Sequence, residues 1–331
     1  MTSSFRAFVA NKDNEGNFSA TVKTLTLDDL PDNDTLVKID FSTVNYKDGL
    51  AVTNSAPICA SFPMVCGIDL AGQVVESSSE LWNAGDPVLV NGYGLSERHW
   101  GAYSQMQRVN SEFLVRIPDE LGGEMAMAIG TAGYTSMLAV NAIRDHGIKP
   151  DDGPILVTGS AGGVGSIAIM LLAKLGYEVT ASTGRPETAD YLKSLGASAT
   201  INREDLARKS KPLERELYAG CVDSVGSTTL ATALAQLKYG GIIAACGLAG
   251  GADLPSTVLP FLLRNVTLRG IDSVMAPMSA RERAWSDLAS LIDTAKLGSV
   301  YSVRPLSDVP TLGKEILEGA IKGRVVIDVN N

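Results

Sequence analysis

Pro154-Ile155-Leu156-Val157-Thr158-Gly159-Ser160-Ala161-Gly162-Gly163-Val164-Gly165 is the stretch that decides the fold. Its first half is a short unbroken apolar run, the pattern of a parallel strand buried on both faces. Its second half is a turn of small residues. Ser166 to Lys174 then has helical apolar spacing and stops at Gly176, and Tyr177 to Ser182 reads as another strand. Strand, Gly-rich turn, helix and strand follow one another within about thirty residues, as a right-handed βαβ unit requires. The turn reads as a dinucleotide pyrophosphate loop. Glycines let the backbone approach the phosphates, and the helix start offers free N–H groups and a positive dipole end. Ser160 stands where G-x-G-x-x-G has its first Gly, so the loop is S-x-G-x-x-G with Gly159 before it. Ser160, Ala161, Gly162, Gly163 and Val164 are the candidate phosphate contacts.

The second strand ends in Ser182-Thr183-Gly184-Arg185. NAD-binding units usually carry Asp or Glu at this tip to hold the ribose hydroxyls. A carboxylate would repel a 2′-phosphate, whereas a hydroxyl and a guanidinium bind it, so this tip favours NADPH. Against that, Arg185 could merely begin the helix near Pro186. Arg203, just after the third strand, is a second candidate for the phosphate or the adenine face.

Outward from this unit, strands and helices alternate. The strands read as 154–158, 177–182, 198–201, Gly220 to Asp223, Gly241 to Gly247 and Val266 to Ile271, the arithmetic of a doubly wound α/β sheet. Helices are expected over 279–296 and 308–320, and Gly323 to Val329 reads as a final strand. The first third is β-rich, with strands at Phe5–Ala10, Ser19–Thr24, Thr35–Val44, Gly67–Glu76, Asp86–Tyr93, Tyr103–Val109 and Phe113–Ile117. Gly123 to His146 is helical in pattern, interrupted at Thr131–Tyr134. The mid-chain glycine loop and the absence of any Y-x-x-x-K pair depart from the short-chain dehydrogenase pattern.

The 331 residues suggest two domains, and 45% hydrophobic content supplies their cores. A net charge of −9 argues against general attraction to nucleic acid or anionic membrane. No run approaches the ~18 apolar residues of a membrane span. Met1-Thr2-Ser3-Ser4-Phe5-Arg6 lacks a leader's apolar core, so a cytoplasmic protein is expected. Four cysteines without C-x-x-C and two histidines give no metal-ligand spacing, so no metal is expected.

Motifs along the whole chain carry a resemblance: Val44-Asn45-Tyr46-Lys47-Asp48-Gly49-Leu50, Gly67-Ile68-Asp69-Leu70-Ala71-Gly72, Gly85-Asp86-Pro87-Val88, Gly130-Thr131-Ala132-Gly133-Tyr134-Thr135, Ser160 to Gly165, Tyr191 to Ala197, Gly270-Ile271-Asp272-Ser273-Val274 and Gly323-Arg324-Val325. With these the chain resembles the zinc-free medium-chain dehydrogenase/reductases of the quinone oxidoreductase branch, and within it the NADPH-dependent acryloyl-CoA reductase group. Gly67-Ile68-Asp69 stands where zinc-dependent relatives carry G-H-E. The resemblance implies a GroES-like catalytic domain from 1–123 and 297–331, and a Rossmann domain over 124–296. It further implies NADPH in a cleft between the domains, and homodimers commonly built by pairing Rossmann sheets edge to edge. The activity it implies is reduction of the C=C bond of a short α,β-unsaturated acyl-CoA. The rivals are a quinone or small-enone reductase of the same fold and a non-catalytic NADPH-binding protein.

Such a reduction needs donors or a cation aimed at the enolate oxygen. Asn45, Tyr46, Asp48 and Arg324 are the candidates. Tyr46 can stack on nicotinamide or donate through its hydroxyl. Asp48 can orient Lys47 or a ribose. An ordinary Asn/Asp turn explains the same residues. For Arg324 two readings stand: contact with the acyl carbonyl or a CoA phosphate, or an edge-strand pair with a surface carboxylate. Thr131 suits the nicotinamide side, or else bonds backbone four residues back. Gly247, Leu248, Ser273 and Val274 end strands, where ligands gather; each pair could equally be a plain connection. Asp69 reads as a local structural acceptor, and Arg264 and Arg269 as solvated.

Overall fold

The alternating middle third assembles, in the computed structural model, into one parallel six-stranded sheet; residues Ser4–Asn331 are described. Met1–Ser3, where the reading of an absent leader begins, lie outside the described residues. The sheet order is Ala199–Asn202, Val179–Thr183, Ile155–Val157, Tyr218–Asp223, Leu237–Ala245, Thr267–Gly270. These are the six strands expected, in the 3-2-1-4-5-6 order of a doubly wound fold. Ile155, Leu156 and Val157 are fully buried at its centre. The chain reverses its direction of travel across the sheet at this strand, so the turn that follows it lies at the topological switch point, where such sheets bind ligands.

The two chain ends build a second, β-rich body. A seven-stranded sheet runs Tyr301–Pro305, Arg324–Asp328, Thr35–Thr43, Asp69–Ser77, Pro87–Asn91, Val115–Arg116, with Met106–Val109 also paired to Thr35–Thr43. A smaller sheet joins Phe18–Thr26, Ser4–Lys12 and Met64–Val65. Phe8, Val37, Ile39, Leu70 and Tyr103 centre its core. Val326 pairs with Thr43, so the C-terminal strand closes onto the N-terminal segment.

The chain divides into two compact units. Unit 1 takes everything up to Thr131, Ser273–Ala289 and Leu297–Asn331; unit 2 takes Ala132–Asp272 and Ser290–Lys296. The expected boundary at 123/124 is therefore displaced to Thr131/Ala132, because the helix Gly122–Asp145 carries its first turns into unit 1 before breaking at Gly130 (φ 52, ψ −163). Ser273–Ala289 joins unit 1 because Arg281 and Trp285 are anchored there on Asn91. The helix Gly122–Asp145 is long and apolar enough to cross a membrane by composition, yet 89% of its apolar window is buried inside the protein.

Other departures have local causes. Asn45–Asp48, for which an ordinary turn was the alternative reading, starts the helix Tyr46–Thr53, with Asn45 at the cap and the Asp48 carboxylate accepting from the Asn45 N–H at 2.9 Å. The helix expected over 279–296 ends at Leu291, and Thr294–Gly298 restarts where Asp293 accepts from the amides of Ala295 and Lys296. Arg264 is not solvated: its guanidinium donates to the carbonyls of Ala235, Leu237 and Glu214.

Candidate active site

In unit 2 the pyrophosphate loop is shaped by packing. A Cβ at Gly165 would lie 2.5 Å from the Gly159 oxygen and from Ser160 Cα, so only glycine allows helix and turn to meet this closely. At Gly162 a Cβ would meet only the Gly159 oxygen, at 3.3 Å, leaving the space above the turn open. Ser160 is buried and its hydroxyl donates to Val157 O at 2.7 Å. Its amide donates to Ser182 O at 3.4 Å, so Ser160 shapes the turn rather than ligating phosphate itself. Ala161 is buried too. Helix Gly163–Lys174 begins immediately after Gly162, so the Gly163 and Val164 amides belong to its unpaired first turn. Opposite, Thr158 Oγ1 donates to the buried Asp223 at 2.6 Å and Asp223 accepts the Gly226 amide at 2.9 Å, fixing the neighbouring strand end. Burial pushes the Asp223 carboxyl above its ordinary value.

The tip after the second strand carries Arg185 in its turn and meets the side chain of Arg203. A Cβ on Gly184 would sit 2.5 Å from Arg203 Cδ and 2.8 Å from its Cζ. The Arg203 guanidinium therefore lies across the Ser182–Arg185 turn, over a glycine that leaves room for it. Glu204 is its ion-pair partner at 3.1 Å, both side chains being about two-thirds exposed. Thr183 Oγ1 accepts from the Arg185 N–H at 3.1 Å and so shapes the turn. Glycine backbone, helix-start amides and the Arg203 guanidinium over Gly184 are what a dinucleotide with a ribose phosphate needs, and the residues present fit NADPH.

Unit 1 holds a buried polar node centred on Asp69, which is fully buried. Its Oδ2 accepts from Asn45 Nδ2 at 2.8 Å and from the Thr131 amide at 2.9 Å. Its Oδ1 accepts from Asn91 Nδ2 at 2.7 Å and from Thr131 Oγ1 at 2.5 Å. Asp48, also buried, accepts from the Asn45 amide, from Asn45 Nδ2 at 3.0 Å and from the Ile68 amide at 3.0 Å. Burial first, and then the Asp69 charge, push the Asp48 carboxyl up to about 7. Arg324 closes the node. Its Nε donates to Ala128 O at 3.1 Å, Nη1 to Val44 O and Asn45 Oδ1 at 3.2 Å, and Nη2 to Thr43 Oγ1 at 2.8 Å. Burial lowers the Arg324 pKa, against the pull of Asp69 and Asp48. Gly130 seals the cluster, since a Cβ there would lie 2.5 Å from Arg324 Nη2 and 2.8 Å from Thr43 Cγ2.

This geometry corrects three expectations. Arg324 sits mid-sheet, 4% exposed, so it is neither an edge residue pairing with a surface carboxylate nor aimed at an acyl carbonyl or CoA phosphate; it ties together unit 1 backbone. Asp48 orients neither Lys47 nor a ribose: Lys47 pairs with Glu97 at 2.5 Å, while Asp48 is enclosed. Asn45 has both side-chain amide atoms engaged, Nδ2 donating to Asp48 and Asp69 and Oδ1 accepting from Arg324. Thr131 donates both its amide and its hydroxyl hydrogen to Asp69. Of the catalytic candidates only Tyr46 is exposed, at 51%. Leu248, Ser273 and Val274 follow strand ends as expected, and Gly247 packs so close to Ser224 that a Cβ would lie 2.5 Å from its oxygen. Asp69, as expected, is a structural acceptor.

Asn91, Arg281 and Trp285 escaped the sequence reading. One signal was present: Arg281, Ala284, Trp285 and Leu288 share a helical stripe that is buried throughout, and an Arg in such a stripe needs acceptors. Among the described residues no three His, Cys, Asp or Glu side chains converge as a metal site would require.

Residues 163–293 match the family model described as zinc-binding dehydrogenase, and residues 31–119 match the alcohol dehydrogenase GroES-like domain. The chain is 53% identical to the acrylyl-CoA reductase AcuI of Ruegeria pomeroyi, over 98% of this chain and 99% of that one. It superposes on the crystal structure of Escherichia coli YhdH with bound NADPH at a TM-score of 0.95 and 46% identity, covering 98% and 100% of the two chains. A second solved structure, Bacillus subtilis YhfP with NAD bound, matches at a TM-score of 0.95 and 41% identity over 99% and 100%.

Proposed function

The chain belongs to the zinc-binding dehydrogenases with a GroES-like domain, the medium-chain dehydrogenase/reductases, and on that premise we propose that it reduces acryloyl-CoA to propanoyl-CoA with NADPH. The near-full-length identity of 53% to an acrylyl-CoA reductase carries the substrate reading. The Arg203 guanidinium laid across Gly184 supports the choice of NADPH.

NADPH, when bound, supplies a hydride to the β-carbon of the unsaturated thioester. The chain's own residues hold and align. The backbone amides of Ala161, Gly163 and Val164 take the pyrophosphate on a turn shaped by Ser160 and Gly162, and Ser182, Thr183, Arg185 and Arg203 take the ribose 2′-phosphate. Ser273 and Val274 take the nicotinamide end, in the unit where the Thr131 hydroxyl donates to Asp69. Tyr46 presents its phenol to the acyl oxygen, where a donor stabilises enolate charge. Asn45, Asp48 and Arg324 act through position: they fix the start of the helix that carries Tyr46.

The enzyme works as a homodimer in the cytoplasm. Thr267–Gly270 is an edge strand of the six-stranded sheet, and Val258, Leu262 and Leu263 near it in sequence are each more than 60% exposed. An open edge with exposed apolar side chains favours pairing with a second copy. A second reading, quinone or small-enone reduction, draws on the likeness to YhfP, named a putative quinone oxidoreductase. Steady-state rates of NADPH oxidation with acryloyl-CoA, free acrylate, crotonyl-CoA and a quinone separate the two. The proposal expects acryloyl-CoA to have the highest kcat/KM; a quinone in first place refutes it.

A further inference from the structure

Arg281 is 1% exposed, and its guanidinium collects backbone carbonyls from two separate segments of unit 1. Nε donates to Ala276 O at 2.9 Å, Nη1 to Asn91 O at 2.5 Å, and Nη2 to Val274 O at 2.7 Å and Ser273 O at 3.2 Å. Its Cζ lies 3.7 Å from the centroid of the Tyr93 ring, which itself stacks on Phe113 at 4.5 Å. Burying a cation is costly, and a leucine would fill the same helical stripe with no such cost. The charge does something a leucine could not: it locks the Ser273–Ala276 segment onto the Asn91–Tyr93 turn. Two further contacts complete that lock. The Tyr93 amide donates to Val274 O at 2.9 Å, and Gly92, at φ +73, approaches so closely that a Cβ would lie 2.9 Å from Val274 Cα.

The lock continues to the Asp69 node. Trp285, one turn along the same helix, donates to Asn91 Oδ1 at 3.1 Å, and Asn91 Nδ2 donates to Asp69, which holds Thr131. Thr131 and the Ser273–Val274 pair lie far apart in sequence. A chain of direct hydrogen bonds through Arg281, Asn91 and Asp69 nevertheless sets their spacing.

We propose that Arg281 is a positioning residue for the nicotinamide end of NADPH, fixing the Ser273–Val274 backbone against Thr131 without touching the cofactor. This rests on the NADPH reading above. Preorganised groups bind without an ordering cost, so loosening them weakens only the contacts they make. The test is calorimetric titration of the full chain and its Arg281→Ala and Arg281→Lys variants with NADPH and with adenosine 2′,5′-bisphosphate, which has no nicotinamide. Arg281→Ala should weaken NADPH by about tenfold or more, leave the bisphosphate within about twofold, and recover part of its NADPH affinity when guanidinium is added. Arg281→Lys, which keeps the charge but not the fork, should show the same split in smaller measure. Equal loss for both ligands, or no loss for either, overturns the assignment. Should Arg281→Ala fail to fold, an unchanged ligand ratio in Arg281→Lys overturns it alone. Failure of the unaltered protein to bind NADPH would sink the cofactor reading instead.

Discussion

Replacing Arg203 by Ala should separate the two nicotinamide cofactors with little effect on folding. The side chain is 67% exposed, and so is its partner Glu204 at 65%, so their ion pair at 3.1 Å contributes little to stability. A charge-assisted hydrogen bond to a ribose phosphate is worth about 1.5–3 kcal/mol, and solvent exposure argues for the lower half of that range. At about 1.4 kcal/mol per factor of ten, NADPH affinity should fall roughly 10- to 40-fold while NADH affinity stays within about twofold. Gly184→Ala reaches the same end by another route. Its Cβ would fall 2.5 Å from Arg203 Cδ, and a long, exposed side chain can swing away to relieve that contact. The variant should fold, displace the guanidinium and lose NADPH selectively. Dissociation constants for NADPH, NADH and adenosine 2′,5′-bisphosphate, by calorimetry at fixed ionic strength, read both variants. An equal fall for NADPH and NADH, or a Gly184→Ala variant with full NADPH preference, would refute the reasoning.

Three other predictions concern the frame around the site. Gly130→Ala forces a side chain into a backbone conformation open essentially to glycine alone and against Arg324 Nη2 and Thr43 Cγ2, so urea denaturation should show a loss of about 2–5 kcal/mol; a change below about 0.5 kcal/mol contradicts that packing. The Asp48 carboxyl is raised from 3.8 to about 7, so the folded protein binds a proton that the unfolded chain releases. Stability from this group is fully present below about pH 4 and is lost as pH rises through 7, with a ceiling of roughly 4 kcal/mol. Asp48→Asn should flatten this part of the stability–pH curve, and an unchanged slope would clear Asp48 of the effect. Leu262→Glu with Leu263→Glu should shift light-scattering mass from dimer to monomer; an unchanged dimer places the interface elsewhere.

The Rossmann unit was legible because its signals are local. Apolar runs such as Ile155–Val157, glycines at fixed offsets and an arginine at a strand tip all lie close in sequence. Their contacts add detail, such as Arg203 crossing Gly184, but leave the outline unchanged. The Asp69 node was not legible in the same way. It joins positions 45, 48, 69, 91, 131 and 324, each of which is an ordinary polar residue in its own stretch. Arg324 read as a ligand-facing cation because its neighbours are apolar. The sequence could not show that carbonyls of Val44 and Ala128 meet it across the fold. Asn45 and Asp48 read as catalytic candidates, or else as an ordinary turn, because Asn and Asp suit a site, a turn and a helix start alike. Tyr301–Pro305 gave too weak an apolar signal for a strand, its centre being exposed. Arg281 was legible in principle, as a charge on a buried helical stripe.

The central claim is hydride transfer from NADPH to the β-carbon of acryloyl-CoA. Mass spectrometry of the product formed from acryloyl-CoA and NADPH deuterated at the transferred C4 position tests it directly. One deuterium on C3 of propanoyl-CoA is the predicted result; unlabelled product, or none while the protein still binds NADPH, would contradict it.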